Sequence, residues 1–293
     1  VLSKRKTLMK YTAPVDSTLF LLRDVLKFDH ELTEPILTEA AKLCEEVIAP
    51  TNQEGDKEGC KYVEEKVQTP QAYKKAWAKF KEGGWLGLSV PEIYGGQGLP
   101  YTLACAINEF VSSSNMAFSL YPGLTRGNIQ ALLEVATEEQ KQFYIPKMAS
   151  GEWTGTMNLT EPHCGTDLGL LKTKAVHYRD NLYHITGQKI FISCGEHDLA
   201  DNIVHLVLAR IEGDPEGTKG ISLFIVPKYI DDDVNYVSCG SIEHKMGIHG
   251  SATCVMNYDG AGGYLVGERC KGLNAMFIMM NEARLGVAVQ GLS

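Results

Sequence analysis

The sequence has no long hydrophobic run and no excess of positive charge. Its apolar stretch near the end, residues 273–280, is far shorter than the roughly 18 residues that a membrane span needs. The 28 Lys and Arg residues are outnumbered by 36 Asp and Glu, which gives a net charge of −8. Nucleic-acid binding needs a basic face. We therefore expect no membrane span and no nucleic-acid partner.

The eight cysteines lack the spacing of metal sites and redox motifs. No two are spaced as CxxC, and His163, His197, His244 and His249 have no ligand spacing, so we expect no metal site. A chain of 293 residues can bury a core without disulfides. We therefore interpret the cysteines as reduced thiols and expect a cytoplasmic location, or the mitochondrial matrix in a eukaryote.

Before residue 150, apolar residues recur at helical spacing, which predicts a helical bundle. In the first helix, over residues 32–48, we expect Thr33 to be the N-cap and Pro50 to end the helix. A capping box at Thr137 and Gln140 predicts a helix toward Met148. The remaining helices are predicted over residues 70–83, 101–114 and 125–135.

After Gly151 the pattern becomes one of short strands rich in β-branched residues. Strands are predicted over residues 172–178, 182–186, 202–209, 221–226, 253–258 and 264–266. No helical pattern separates them, so we expect an antiparallel barrel or sandwich. From Gly272 a helical pattern returns and the sequence stops at Ser293. We expect further chain, or a partner, to cover that helix.

The common nucleotide and hydrolase motifs are absent. Gly95-Gly96-Gln97-Gly98 lacks the strand–turn–helix context of a dinucleotide-binding loop, and there is no Walker A, GxSxG or HExxH motif. From the residues alone, the sequence indicates only a chain with a helical half and a β half.

Three ordered segments then resemble the acyl-CoA dehydrogenase family of flavoenzymes. They are GLSVPEIYGGQGLP at 87–100, TMNLTEPHCGTDLG at 156–169 and KIFISCGEHDLAD at 189–201. EHKMGIHGSATCVM at 243–256 and NEARLGVA at 281–288 add to the resemblance, which extends from about residue 30 to the end. The opening YTAPVDSTLFLL is most similar to the branch that includes 3-methylmercaptopropionyl-CoA dehydrogenase.

The resemblance implies an α+β protein in four parts. These are an N-terminal extension (1–30), a helical domain (31–150), a middle β domain that forms a flavin-binding wall (151–268) and the first helix of a C-terminal helical bundle (269–293). It implies FAD as cofactor and an acyl-CoA thioester as substrate in fatty acid metabolism. A glutamate removes the α-proton and a hydride leaves Cβ for flavin N5. It further implies an electron-transfer flavoprotein as acceptor and a homodimer or other homo-oligomer.

The resemblance also assigns site residues. The cofactor-binding set is Met157, Leu159, Thr160, Gly165, Thr166, Phe191, Ile192 and Ser193. The substrate-binding set is Thr166, Thr218, Asn281 and Arg284. Glu282 is not assigned as the catalytic base, which we expect beyond Ser293, so these 293 residues alone are expected to bind FAD poorly and to be inactive.

Two other functions remain open at this point. One is a non-catalytic relative that binds acyl-CoA or a partner without the base, and the other is a flavin oxidase or monooxygenase of the same fold. Without the resemblance, Thr160 is most simply a strand end and Phe191 a core aromatic. The flavoenzyme hypothesis predicts that Thr160 and Ser193 form one wall of a slot for an isoalloxazine ring.

Overall fold

The computed structural model describes residues 10–28 and 30–293. The first half is mainly helical, with a small hairpin of two strands. The helices are α1 (Val15–Phe20), α2 (Thr33–Leu43), α3 (Pro50–Glu58), α4 (Gln71–Glu82), α5 (Tyr101–Ser114), α6 (Met116–Val135) and α7 (Glu138–Ala149), and the hairpin strands are β1 (Lys61–Val63) and β2 (Lys66–Gln68).

The predicted N-terminal extension lies partly outside the described residues. Its described part holds α1, which continues into a π-helical turn over Leu21–Val25. The backbone N–H of Ala13 donates a 2.9 Å hydrogen bond to Glu45 Oε1, which ties this segment to the helix that follows α2. The described part of the extension therefore belongs to the helical layer.

Two expectations about the first helix are wrong. Leu32, not Thr33, is the N-cap of α2, and Thr33 is its first helical residue, fully buried. Pro50 does not end the helical segment but opens α3 at its first position. Proline is tolerated there because the first N–H groups of a helix have no partner within it.

Helix α6 begins nine residues before the predicted start at 125. Asn115 caps it, because its Oδ1 accepts a 3.0 Å hydrogen bond from the backbone N–H of Phe118. The helix continues through Pro122. Helices α4, α5 and α7 confirm the prediction, including the reciprocal capping box of Thr137 and Gln140.

The second half forms a seven-stranded sheet that closes on itself. The strands of this half are β3 (Trp153–Asn158), β4 (Lys174–Arg179), β5 (Leu182–Ser193), β6 (Asn202–Ile211), β7 (Ile221–Pro227), β8 (Tyr229–Ile230), β9 (Asp233–Val234), β10 (Val237–Ile242) and β11 (Thr253–Val266). The order is β10-β11-β5-β4-β6-β3, and β7 pairs with both β6 and β11, while β8 and β9 form a separate small hairpin.

Most of this sheet is antiparallel, as expected, but two pairings are parallel. Strand β3 runs parallel to β6 from Trp153 to Asn158, and β4 meets β6 in parallel at Lys174 and Ala175. The two predicted strands at 253–258 and 264–266 are one long strand, β11. The expected fold class, a helical domain followed by a β-barrel-like domain, is confirmed.

Hydrogen bonds join helix α6 to the edge strand β3. Asn128 Nδ2 donates to the Val204 carbonyl at 2.9 Å and to the Thr156 carbonyl at 3.3 Å, and the N–H of Gly155 donates to Thr125 Oγ1 at 3.2 Å. A Cβ at Gly155 would lie 2.5 Å from Asn128 Cβ, so this approach requires glycine. The helical and β halves are therefore in direct contact.

The last helix, α8 (Gly272–Leu292), packs against α5 and α6 and also contacts strands β6 and β7. Its buried side chains include Ala275, Met276 and Met279. In the part of the chain that the structure describes, no helix has the length and apolar character of a membrane span.

Candidate active site

The two segments that were predicted to share one wall lie side by side. The backbone N–H of Ile190 donates a 2.9 Å hydrogen bond to the carbonyl of Thr160, which links the end of β3 to β5. Met157, on β3, and Ser193, at the end of β5, line the same pocket. The Thr160 segment therefore lies against β5, and the last residue of β5 lines this pocket with Met157.

Phe191 lies on an irregularity of β5. The pairing with β11 shifts between Cys254 and Met256, opposite Phe191, and Phe191 has a φ of 59°. Its ring is 59% exposed, whereas the adjacent Ile192 is 2% exposed and packs in the barrel core. The bulge therefore presents Phe191 outward, and only the backbone of Ile192 can reach a ligand on this face.

A buried ion pair lies behind this wall. Lys189 Nζ donates to Glu161 Oε1 at 2.8 Å and to the Leu159 carbonyl at 2.9 Å, and the lysine side chain has no exposed surface. Glu161 also accepts from the Thr173 hydroxyl at 2.6 Å and from the N–H of Lys172 at 2.7 Å. Glu161 and Lys189 therefore fix the loop after β3 against β5.

The electrostatics of the pair favour two charged groups. Burial acts to raise the pKa of Glu161, but the Lys189 ammonium and the Thr173 hydrogen bond hold that pKa below its ordinary value. Burial lowers the pKa of Lys189, and Glu161 opposes this effect. Both charged groups form hydrogen bonds beyond the ion pair itself, and these bonds make their burial tolerable.

The loop with Gly165 and Thr166 is exposed and lies against the same wall. A Cβ at Gly165 would be 3.2 Å from Thr160 Cγ2, so the loop backbone passes close over Thr160. Thr218 is exposed in a neighbouring turn, and its N lies 3.5 Å from the Cβ position of Gly169. Thr218 therefore lies next to Gly169, which follows Gly165 and Thr166 along the chain.

Sequence reasoning missed Arg210, which joins these two turns. Its guanidinium donates to the carbonyls of Gly217 at 2.9 Å and Gly169 at 3.1 Å. It lines a groove together with Lys172 and Lys174. A basic side chain at the end of the apolar strand β6 was the available signal. The groove is also lined by Asp167, Glu212 and Glu216, so three carboxylates accompany its three cations.

A pocket of about 240 Å³ extends from Met157 and Ser193 between α5, α6 and α8. Its walls are mainly apolar, but Tyr101, Asn108, Arg126 and Glu282 also line it. Sequence reasoning did not assign these four residues to the site. The available signal was polar residues at positions 101, 105 and 108, which helical spacing places on one face of α5.

Asn281 and Arg284 lie elsewhere on α8. Both are exposed, the Arg284 guanidinium donates to Asn281 Oδ1, and it lies 5.5 Å from the centre of the Phe277 ring. Neither residue lines the pocket, whereas Glu282 and Leu285 do. In this structure the two predicted substrate-binding residues therefore stay outside the pocket.

Within residues 10–28 and 30–293, one group of potential metal donors is present. Atoms of Glu161, His163 and Cys164 lie within 4.8 Å of one another. The Glu161 carboxylate is, however, already bound by Lys189 and Thr173. The cluster is thus part of the ion-pair network, which leaves little of the carboxylate for a metal ion.

The fold has two parts, a helical half and a β-barrel-like half, with a pocket between the helices and the barrel. The family comparisons agree with it. The acyl-CoA dehydrogenase N-terminal domain matches residues 31–152, and the acyl-CoA dehydrogenase middle domain matches residues 156–261. The chain belongs to the acyl-CoA dehydrogenase family.

Two curated relatives show the extent of the similarity. The chain is 44% identical to 3-methylmercaptopropionyl-CoA dehydrogenase from Ruegeria pomeroyi, over 97% of this chain and 52% of that protein. It is 40% identical to a butyryl-CoA dehydrogenase from Syntrophomonas wolfei, over 85% of this chain and 44% of that protein. The chain thus spans about half the length of these relatives.

Solved structures confirm the fold. Butyryl-CoA dehydrogenase from Megasphaera elsdenii has a TM-score of 0.76 at 26% identity, over 90% of this chain and 66% of that one. An acyl-CoA dehydrogenase from Bacillus anthracis complexed with FAD has a TM-score of 0.74 at 28% identity, over 90% of this chain and 42% of that one.

Proposed function

We propose that the protein carrying this chain is an FAD-dependent acyl-CoA dehydrogenase that removes hydrogen from Cα and Cβ of an acyl-CoA thioester. The observation that carries the proposal is the 2.9 Å hydrogen bond from the N–H of Ile190 to the Thr160 carbonyl. This hydrogen bond places two segments side by side. The segments bear the hydroxyl groups of Thr160 and Ser193 and the exposed ring of Phe191.

The residues of this wall suit a flavin. An isoalloxazine ring has an apolar face and a polar edge, and the wall offers the exposed ring of Phe191 beside the half-buried hydroxyls of Thr160 and Ser193. The outward position of Phe191 on a strand bulge has no role in the barrel core. An aromatic ring held outward in this way is explained by a flat partner that packs on it.

Each residue of the wall then has a role toward the cofactor and substrate. Phe191 packs against the ring system, and the hydroxyls of Thr160 and Ser193 bind its polar edge. The backbone of Gly165 and the hydroxyl of Thr166 approach the pyrophosphate, and Arg210, Lys172 and Lys174 supply positive charge nearby. Bound FAD supplies the hydride acceptor, while the protein orients the thioester and excludes water.

The acyl chain occupies the pocket lined by Met157 and Ser193. This pocket starts at the proposed flavin wall and runs between α5, α6 and α8, so a bound acyl chain lies against the ring. Because relatives bear the names of dehydrogenases for 3-methylmercaptopropionyl-CoA and butyryl-CoA, we favour a short acyl chain.

The proposal also covers the electron acceptor and the assembly. One structure with a TM-score of 0.75 and 30% identity is described as an electron transferring flavoprotein of Acidaminococcus fermentans. We propose such a flavoprotein as the acceptor of the electrons. We also propose a homo-oligomer, since Phe277, Leu285 and Val287 on α8 are exposed.

Anaerobic titration of the FAD-loaded protein with butyryl-CoA tests the proposal. Loss of the visible absorption band of oxidised flavin is expected, and a dye-linked assay should then show turnover. A Phe191→Ala variant should load less FAD, whereas a Tyr178→Ala variant, which removes a similarly exposed ring from β4, should load normally.

Other outcomes identify the competing functions. Tight CoA-thioester binding without flavin reduction would indicate a non-catalytic binding protein. Flavin reduction followed by rapid reoxidation with oxygen, and no transfer to the dye, would indicate an oxidase or monooxygenase. Both results would contradict the dehydrogenase proposal.

A further inference from the structure

The walls of the acyl pocket are mainly apolar, but the pocket also contains a cluster of four polar side chains. Arg126 Nη2 donates a 2.6 Å hydrogen bond to Asn108 Oδ1, and Asn108 is 8% exposed. Tyr101 lies on α5, the same helix as Asn108, and its hydroxyl donates to Glu282 Oε2 on α8. The cluster therefore consists of one cation, one carboxylate, one amide and one phenol, and all four line the pocket.

The Arg126 guanidinium is only partly used by the protein. Within residues 10–28 and 30–293, its one hydrogen-bond acceptor is Asn108 Oδ1. In the same part of the chain, Arg126 and Glu282 do not form an ion pair at 4.0 Å or less. A guanidinium has five N–H donors, so most of them have no acceptor among the described residues.

The free donors of Arg126 would cost free energy if a bound ligand excluded water from the pocket. Burial lowers the pKa of Arg126, and the nearby Glu282 carboxylate opposes this effect, so the side chain stays charged. An alkyl chain that fills the pocket would remove water from the guanidinium and from Glu282 without replacing its hydrogen bonds. A chain with an acceptor atom would replace one of them.

We propose that Arg126 is a specificity-determining residue that selects short acyl groups carrying a hydrogen-bond-accepting heteroatom over alkyl groups of the same length. This inference rests on the proposed function, because it places the acyl group of a CoA thioester in this pocket. Asn108 holds the guanidinium in position, and Tyr101 holds Glu282 on the opposite wall.

Isosteric pairs of thioesters test the proposal. 3-Methoxypropionyl-CoA and pentanoyl-CoA have the same chain length and differ by an ether oxygen in place of one methylene. 4-Methoxybutanoyl-CoA and hexanoyl-CoA place the oxygen at the same distance from the chain end in a longer chain. Dissociation constants are measured by calorimetry on the FAD-loaded protein, and kcat/KM by a dye-linked assay.

The wild-type protein should bind at least one ether about tenfold more tightly than its alkyl partner, the size expected of a hydrogen bond to a charged group. Arg126→Met, which keeps a long apolar side chain, should abolish or invert this ratio. Arg126→Lys should retain part of it. Thermal unfolding of each variant verifies that it is folded, and the ratio is taken within one protein, so a loss of total activity does not affect it.

Three results would overturn the proposal. Equal binding of both members of each pair by the wild-type protein would do so, as would a preference for the alkyl members. An ether preference that survives in Arg126→Met would show that another residue provides the selection. If none of the four thioesters binds, the proposed function itself fails, which is distinguishable from the loss of selectivity alone.

Discussion

The ammonium group of Lys189 lies 2.8 Å from the Glu161 carboxylate, and both side chains are almost completely buried behind the proposed flavin wall. Lys189 belongs to β5, two residues before Phe191, and Glu161 directly follows Thr160. The spacing of the two wall segments is therefore set by a pair of charges, which is more directional than apolar packing.

Replacement of Lys189 by methionine should destabilise the protein by about 3–5 kcal/mol, because it leaves the Glu161 carboxylate buried without its counter-ion. Urea unfolding followed by circular dichroism measures this change. The control is Lys79→Met, which removes an exposed lysine paired with Glu82 at 2.6 Å. It should cost less than about 1 kcal/mol. Equal effects of the two substitutions would show that the buried pair has no special role.

Phe191→Ala should weaken FAD binding about fivefold, because it removes the one exposed aromatic ring beside Thr160 and Ser193. Fluorescence titration of the apoprotein with FAD gives the dissociation constant. Tyr178→Ala serves as the control, since its ring is 58% exposed against 59% for Phe191 but lies on β4. A similar loss in both variants would place the flavin elsewhere.

The segments that we propose to face the flavin could be recognised because each is continuous in sequence. Thr160 with Gly165, and Phe191 with Ser193, each lie within a few residues, so short motifs were sufficient to identify them. The cluster of Arg126 and Glu282 could not be predicted in this way. These two residues are far apart along the chain, and only the packing of α6 against α8 brings both into one pocket.

Asp198→Asn should destabilise the protein at neutral pH by about 1 kcal/mol. Asp198 accepts hydrogen bonds from the N–H and hydroxyl of Thr69 at 3.0 and 2.6 Å and pairs with Lys74 at 2.9 Å. It thereby ties the start of α4 to the loop after β5. Thermal unfolding at a series of pH values measures the difference from wild type.

The pH dependence of that difference follows from the charge. Burial acts to raise the pKa of Asp198, but Lys74 and Thr69 hold it below its ordinary value. Its stabilisation is therefore present above the unfolded-state pKa, about 3.9, and is lost as the pH falls through the folded-state pKa. The gap between wild type and Asp198→Asn should close below about pH 4. An Asp233→Asn control should show no such gap, and a gap that stays constant at low pH would contradict the assignment.

Asn115→Ala should cost about 3 kcal/mol, because the side chain is the N-cap of α6 and also satisfies two buried hydroxyl groups. It accepts from Tyr73 at 3.1 Å and donates to Thr51 at 2.9 Å. Guanidinium unfolding measures the loss. Asn52→Ala, on the exposed face of α3, is the matched control and should stay within about 0.5 kcal/mol of wild type. Equal stability of both variants would contradict this role of Asn115.

The helix boundaries show the same limit of local reasoning. The capping box at Thr137 was recognisable because both of its partners lie within four residues. The cap at Asn115 was missed, although the polar run from Ser112 to Asn115 separates the apolar residues of α5 from those of α6. Its contacts with Thr51 and Tyr73 come from distant segments, and these contacts bury the polar turn between the two helices.

Helix α6 cannot slide along β3 without breaking the hydrogen bonds of Asn128 to Val204 and Thr156 and of Gly155 to Thr125. This helix also carries Arg126 and Gly127 on the pocket wall. These hydrogen bonds therefore fix the gap between the helix and the barrel without a bound ligand. The helix and the barrel do not have to move together when a ligand binds. Binding therefore does not include the entropy cost of ordering the two parts relative to each other.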